Sequence, residues 1–572
     1  MARTLLCLVL LVCSLLSRII SSESVAHDQE TAFTKWFLEN GGELNGISLA
    51  QFPLMGRGFA ATKNIVENER ILHIPHKLIF STKNMANYLD DRTRKILETL
   101  GADAALSAWL LLEKHNEKSF FKPYIDVMPK YVSSLVYFNT GELVELQSAS
   151  LTKEAIEMQN SARVDYEAFL IAYESIIKQR GVTITSESTI SYEEYLWAMS
   201  MFNSRGLRFQ GPVYMAPMAD IFNYQHHPSP RPPNNGDFFA KHHKLDKQGI
   251  TIFSDRDHHS IAANPLQVYE DYGDNSDEIY FKYHGFVPDT NPFRCTVLSF
   301  DEILTELLPL LPAGDLQSQS PLSEASKTVL LSNVSAAHQA LIAALEFNRL
   351  PSKCVDAVVT TTTSSTDTTA TTTSSSSTTG GYLGKGLEVL LIALSMTADE
   401  AKQCNQHIKE NSSSKNSNRN TAKNWPAIFQ KCQFASVEKF LQNVRTIGYS
   451  HLPETEHQSN NNLKDRTLLT IQNFINMNIK KDNITTTVQE DALLLQSLTT
   501  ALAAEYTHKG YHQYLAVKYR YYRKGLLLSV ARQYGAVEAE HILLANSSST
   551  DTTSITTTTD TTITASSNTR DD

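Results

Sequence analysis

Near residue 300 the apolar residues stop recurring in short alternating runs and begin to recur at helical spacing, which divides the chain into two folding regimes. Before that point, "GFAATKNIVENERILHIPHKLIFS" alternates short β-branched or apolar runs with polar turns, as paired strands do, and "GITIFSD" and "PLQVYEDYG" repeat the signal. Helices interrupt these strands. In "DAALSAWLLLEKH" the residues Ala105, Leu106, Trp109, Leu110 and Glu113 fall in amphipathic order, and Tyr166, Phe169, Leu170, Tyr173, Ile176 and Ile177 recur at three and four. A further helix opens at "SYEEYLWAMSMFNSR", where Ser191 and Glu194 have capping-box spacing. After residue 300, "VEKFLQNVRTIG", "DALLLQSLTTALAAEY" and "YLAVKYRYYRKGLLLSVARQYG" carry apolar helical faces with few strand signals. The expected class is α+β: a β-rich domain over 30–300, split by a helical insertion at about 88–200, followed by an all-α domain over 301–546.

Two tracts lie outside this pattern, "TTTTSSTDTTATTTSSSSTT" at 360–379 and the tail 547–572. Neither has an apolar period, so neither offsets its ordering entropy by burial; both read as disordered, as O-glycan carriers or as tolerated repeat expansions. The first residues, "MARTLLCLVLLVCSLLSRIISSESVAHDQ", hold one Arg before an apolar run from Leu5 to Leu16, too short for a bilayer span, and then Ser24 and Ala26 in a small-x-small pattern. This is a signal peptide over 1–26 with cleavage at Ala26, or an uncleaved anchor. With a secretory route, the expected location is the ER lumen or outside the cell, or a plastid reached through the secretory system, and no stable membrane insertion is expected after cleavage. Two of the six cysteines, Cys7 and Cys13, lie in the leader, while Cys295, Cys354, Cys404 and Cys432 are too dispersed for a zinc ribbon or a dithiol motif. Sequons at Asn333, Asn411, Asn483 and Asn546 suit that route. A formal net charge of -10 without a Lys/Arg run argues against nucleic acid as a partner.

Four stretches carry residues suited to chemistry. In "MGRGFAA", Gly56 and Gly58 let a backbone approach a ligand closely, or simply make a turn. In "FNSRGLRF", Ser204 and Arg205 end the capped helix, where an Arg caps carbonyls or holds a carboxylate. In "MAPMADIFNYQHHP", Asp220 and Asn223 follow an apolar run and precede a proline, a turn position for such residues. In "YEDYGDNSDEIYFKYHGFV", Tyr272-Gly273 ends a strand and Gly285-Phe286 ends a helix-like segment. Each is ordinary alone; their order and spacing form a specific set.

That set resembles the SET-domain methyltransferases of the Rubisco large-subunit lysine methyltransferase and actin histidine methyltransferase type, over about residues 33 to 545. "GRGFAATKNI" resembles the first cofactor strand, "FKPYIDVMPKYVSSLVYFNTGELVELQSASL" the inserted helical region, "ADIFNY" the Asp-x-x-Asn-His motif and "YEDYGDNSDEIYFKYHGF" the Tyr-Gly...Ser-Asn...Gly-Phe motif. The helical second half is similar to the substrate-binding domain, most recognisably at "AVKYRYYRKGLLL". The resemblance implies S-adenosyl-L-methionine held by Met55, Gly56, Arg57 and Gly58 main chain, Ser204, Arg205, Asp220, Asn223 and Tyr224. It implies Tyr272 as the catalytic tyrosine, Tyr283, His284 and Phe286 as the substrate side of the pocket, a protein substrate and a monomer. Tyr224 stands where His is usual, Asp277 where Asn is usual, and His284 where many members have Tyr.

Transfer of a methyl group from a sulfonium needs nucleophile, carbon and sulfur in line, so alignment and exclusion of water supply most of the acceleration. A lysine acceptor must first lose a proton, at about 4.6 kcal/mol at pH 7, while a histidine is mostly neutral and needs chiefly a hydrogen bond to fix its tautomer. The expectation is methylation of a protein lysine; the alternatives are a histidine acceptor, or a catalytically silent module whose helical half binds a protein. The pairs His226-His227, His242-His243 and His258-His259 invite a metal site, but adjacent strand residues point to opposite faces, so they read as solvated turns with no metal.

Overall fold

A computed structural model describes residues 28–52, 55–179, 190–209, 212–227, 242–258, 266–273, 275–298, 354–358, 380–383, most of 391–406, 434–447, 450, 452 and 462–544. The leader, both Thr/Ser tracts and His259 lie outside the described residues.

Two small four-stranded sheets build the first half. One orders Glu43–Leu44, Arg70–Pro75, Gly249–Phe253 and His243–Leu245. The other orders Ile47–Phe52, Gly56–Ala61, Gln267–Glu270 and Asn223–Tyr224. Their inward faces carry β-branched and aromatic residues such as Ile47, Phe59, Ile74, Ile250 and Val268, all buried in one core. The last pair in the second sheet is parallel, with Tyr269 opposite Asn223 and Glu270 opposite Tyr224. Two distant segments of the chain therefore end side by side at one sheet edge, and the candidate site forms there.

The helical insertion is built as its periodicity predicts. Ala102–Lys114 buries Trp109 and the leucines around it against Tyr192–Arg205, and Ala149–Gln179 is one helix of 31 residues. Ser191 and Glu194 close a reciprocal capping box, which fixes where the helix ending in Ser204 and Arg205 begins.

The second half packs Phe434–Ile447, Leu463–Lys481, His508–Tyr534 and Val537–Leu544 around a separate core that includes Val444, Phe474, Leu527 and Tyr534, and Val488–Ala504 lies against His508–Tyr534. It is not helical throughout. Cys354–Val358 and Gly380–Leu383 pair with each other, and the first of them pairs with Cys295–Val297. Cys295 and Cys404 are both disulfide-bonded. Among the described residues, no helix is long and apolar enough to cross a membrane.

The long helix His508–Tyr534 joins the two halves. Leu515, Ala516 and Tyr519 pack with Phe138 and Leu151 of the insertion and with Phe281 and Val287, so one cluster backs the segment that carries His284. Buried charges run along the same face. Arg520 Nε donates to Asp491 at 2.9 Å and Nη1 to the Glu145 carbonyl at 2.8 Å, Arg523 Nη1 donates to Asp482 at 2.6 Å, and Lys524 Nζ donates to Asp491 at 2.7 Å.

Candidate functional site

The strand Gly56–Ala61 supplies the floor. Gly56 has φ +71, and Met55 before it is 51% exposed at the turn. A Cβ on Gly58 would lie 2.7 Å from Asn223 Nδ2 and 2.9 Å from Gln267 Nε2, so a larger residue there would push these two side-chain amides aside. Asn223 Nδ2 donates to the Arg57 carbonyl at 3.2 Å. The Arg57 side chain turns elsewhere, to Glu30 at 2.8 Å and the Val127 carbonyl at 2.6 Å. The part of Arg57 that faces the site is its main chain.

Behind this floor sits a part-buried ion pair. Arg205 Nη1 donates to the Asp220 carbonyl at 2.7 Å and lies 3.3 Å from its Oδ2, which also accepts from Tyr124 Oη at 3.0 Å. Burial pushes the Asp220 carboxyl up and the Arg205 charge opposes that shift. Arg205 Nε and Asp220 Oδ1 are buried without hydrogen-bond partners. Ser204 Oγ is committed to the Ser200 carbonyl at 2.7 Å. Asp220 rides on the short turn Ala219–Ile221, entered through Met218 at φ +74, a conformation rare for a residue with a side chain.

Tyr272 closes the group. Its hydroxyl donates to the Phe222 carbonyl, one residue before Asn223. Burial raises its phenol well above the ordinary value, so at neutral pH it is an uncharged phenol, not a base. Around it, ring centroids lie at 5.5 Å for Tyr224, 5.5 Å for His284 and 6.5 Å for Phe286. Tyr280 lies beneath, fully buried, 4.6 Å from Tyr224, 5.2 Å from Phe286 and 5.8 Å from His284.

The structure thus brings together Gly56 to Gly58, Ser204, Arg205, Asp220, Asn223, Tyr224, Tyr272, His284 and Phe286. Tyr283 is not in this ring cluster; its aromatic contact is with Lys282 Nζ at 5.7 Å. Tyr280 takes that place because the segment Tyr280–His284 winds as a π-turn after the short helix Asp277–Ile279. Gly285 ends the turn at φ +73, and a Cβ there would meet the Ser133 backbone at 2.8 to 3.1 Å.

The unexpected Asp277 is 3% exposed and has found a cation. It accepts from Asn291 Nδ2 at 2.8 Å and from Arg294, whose guanidinium lies 3.7 Å from the Tyr522 ring centroid on the long helix. The extra charge ties the segment before His284 to the helical half.

The histidine pairs are not solvated turns. His242, His243 and His258 are 2%, 4% and 3% exposed, and His242 and His243 line one small enclosed space with Asp255, Glu270 and Asp271. His243 Nε2 meets Glu270, His226 Nδ1 lies 3.3 Å from Asp271 Oδ2, and His227 donates its backbone N–H to the same oxygen at 2.8 Å. Asp271 Oδ1 accepts from the Gly273 N–H at 2.9 Å, which pins the turn after Tyr272. Among the described residues no three such side chains have metal-holding geometry.

No protein-family model matches the chain. The solved structure of Rubisco LSMT bound to AdoMet superposes with a TM-score of 0.55 at 16% identity, over 90% of this chain and 93% of that one. The SET domain of LSMT bound to lysine and AdoHcy gives 0.54 at 16%, over 91% and 94%. The fold is that of the Rubisco LSMT SET proteins. In sequence, this SET-fold chain is 29% identical to the actin-histidine N-methyltransferase of Papio anubis over 177 residues, 30% of this chain and 29% of that protein. It is 24% identical to that of Canis lupus familiaris over 269 residues, 45% and 42% of the two chains. The matches span less than half the length of these curated relatives.

Proposed function

We propose that this chain is a protein N-methyltransferase that binds S-adenosyl-L-methionine against the main chain of Gly56–Gly58, beside Asn223 and Tyr224, and methylates a side-chain nitrogen of a protein. The observation that carries the reading is the convergence of Gly58, Asn223, Arg205 and Tyr272, drawn from four separate stretches, at one sheet edge. The residues present suit the cofactor. The main chain at Gly56 has open space beside it, and Arg205 Nε and Asp220 Oδ1 are an enclosed donor and acceptor still unpaired, one for a carboxylate and one for an ammonium or hydroxyl.

When bound, the cofactor supplies a methyl group on a positively charged sulfur. The chain's own part is alignment and enclosure. Tyr272 keeps its proton on the Phe222 carbonyl, which leaves its oxygen lone pairs as weak acceptors for polarised methyl hydrogens, each contact worth about 0.5 to 1 kcal/mol. The faces of Tyr224, Tyr272 and Phe286 present negative π density to a cation. Lysine, the acceptor expected from sequence, and histidine, the acceptor named for the relatives, both remain compatible with this cleft.

The test is methylation of host-lysate proteins by the full chain with isotope-labelled S-adenosyl-L-methionine, followed by mass spectrometry. Tyr272→Phe should retain cofactor affinity and lower turnover by about 100-fold, in the range of losing preorganised transition-state contacts. Unchanged turnover would remove Tyr272 from the mechanism. No transfer by the wild type, with cofactor bound, would favour a silent module that binds a protein partner.

A further inference from the structure

The parallel pairing that brings the two site segments together ends on a side chain. Gln225 donates its backbone N–H to the Glu270 carbonyl at 3.1 Å, and the next rung of such a ladder, two residues on, would run from the His227 N–H to the Tyr272 carbonyl. The His227 N–H goes instead to Asp271 Oδ2 at 2.8 Å, and Oδ1 of the same carboxylate accepts from the Gly273 N–H at 2.9 Å. We propose that Asp271 is a positioning residue for Tyr272: by taking both N–H groups it ends the ladder, turns the chain after Tyr272 and holds the phenol on the Phe222 carbonyl. This rests on the methyltransferase reading of the same site.

The bonds on either side of Tyr272 show what the carboxylate controls. Relieved of the His227 rung, the Tyr272 carbonyl accepts from Asn275 Nδ2 at 3.3 Å, and the Gly273 carbonyl accepts from Tyr280 Oη at 3.0 Å and from the Asn275 N–H at 3.0 Å. Gly273 has φ +106, which lets the chain leave the strand direction at once. The Tyr272 hydroxyl returns to the Phe222 carbonyl on the neighbouring segment. Two adjacent side chains thus bridge the same two segments, Tyr272 to residue 222 and Asp271 to residue 227. Successive side chains of an extended chain point to opposite faces. Asp271, fixed toward His226 and His227, therefore leaves Tyr272 facing Tyr224, His284 and Phe286.

Asp271 is 1% exposed, and His226 Nδ1 lies 3.3 Å from its Oδ2. A carboxylate has only acceptors, and both of its oxygens face N–H donors, so the pairing has a single polarity. Asparagine has the same shape but one acceptor oxygen. Whichever way its amide turns, an NH2 group faces one of the two N–H groups. That end comes loose, and the Tyr272 oxygen leaves the place at which a polarised methyl group would meet it. Alignment of a transferred group tolerates little displacement, so the loss falls on turnover and not on cofactor affinity.

The experiment uses the full chain with its tyrosines ¹³C-labelled at Cζ, the Tyr272 signal being the one that Tyr272→Phe removes. Without cofactor, Asp271→Asn should shift that signal and leave those of Tyr166 and Tyr534 in place. In methylation of host-lysate proteins with labelled S-adenosyl-L-methionine, Asp271→Asn should lower the rate at saturating cofactor about tenfold, the size of one well-placed hydrogen bond, with the cofactor KM unchanged. In a Tyr272→Phe background the same substitution should cost no further turnover, whereas a role in fold stability alone would cost the same factor in both backgrounds. If Asp271→Asn does not fold, the wild type decides: the His227 and Gly273 amide protons should both exchange at least about tenfold slower than in an open chain. An unshifted Tyr272 signal, an equal loss in both backgrounds, or amides exchanging at open-chain rates would overturn the assignment. Absence of methyl transfer by the wild type would count against the methyltransferase reading, and the Tyr272 signal would still decide the role of Asp271.

Discussion

His284 shows how one residue sets the chemistry of its surroundings. Its ring loses its proton at about 4 in the folded chain and at about 6.5 when unfolded, so between those values the unfolded chain binds more protons. Its contribution to stability is therefore complete above pH 6.5 and is lost as the pH falls toward 4, by at most about 3 kcal/mol. Denaturant titrations of wild type and His284→Phe should differ in slope across that window and run parallel above it; parallel curves throughout would contradict the buried neutral ring. At this scale the sequence was informative where a residue type has one use. Gly58 leaves the space that the Asn223 amide occupies, and Tyr272 follows a strand beside the motif that receives its hydroxyl. It was uninformative where winding decides the side: the π-turn that turns Tyr280 and not Tyr283 into the cluster has no marker in "DEIYFKYH". The partner of Asp277, Arg294, lies seventeen residues further on in a loop, and no spacing rule links them.

Among the elements, the helix His508–Tyr534 does most to connect the two halves. Its sequence period announced a helix, and Arg520, Arg523 and Lys524 along it are buried. Their acids come from helices and loops far along the chain, which a helical pattern cannot disclose. Burial holds Lys524 down to about 8 despite Asp491, because Arg520 and Arg523 add positive charge nearby. Asp491→Asn leaves both Arg520 and Lys524 short of a counter-charge and should destabilise the chain by about 3 to 5 kcal/mol in chemical denaturation. Glu540→Gln, which breaks the exposed pair with Arg532, should change stability by less than about 1 kcal/mol. Equal effects would mean that the buried network adds nothing beyond surface pairing. Strand positions were the more legible elements: "GITIFSD" and "PLQVYEDYG" are strands as their alternation indicates, whereas the short hairpin partners Cys354–Val358 and Gly380–Leu383 sit beside a Thr/Ser tract that masks their pattern.

At the scale of the whole molecule, two cores meet through the insertion, and the candidate cleft lies on the first of them, backed by the long helix of the second. We infer that such a chain travels the secretory route: its first 26 residues have signal-peptide anatomy, and Cys295 and Cys404 are oxidised. A fluorescent fusion to about the first 60 residues should enter the endoplasmic reticulum; a cytosolic signal would contradict that route while leaving the cleft untouched. The most direct test of the central claim is calorimetric titration of the full chain with S-adenosylhomocysteine. The account predicts one saturable site per chain, lost in Gly58→Val, which drives a side chain into Asn223 and Gln267. No measurable heat in the wild type, or binding that survives Gly58→Val unchanged, would contradict it.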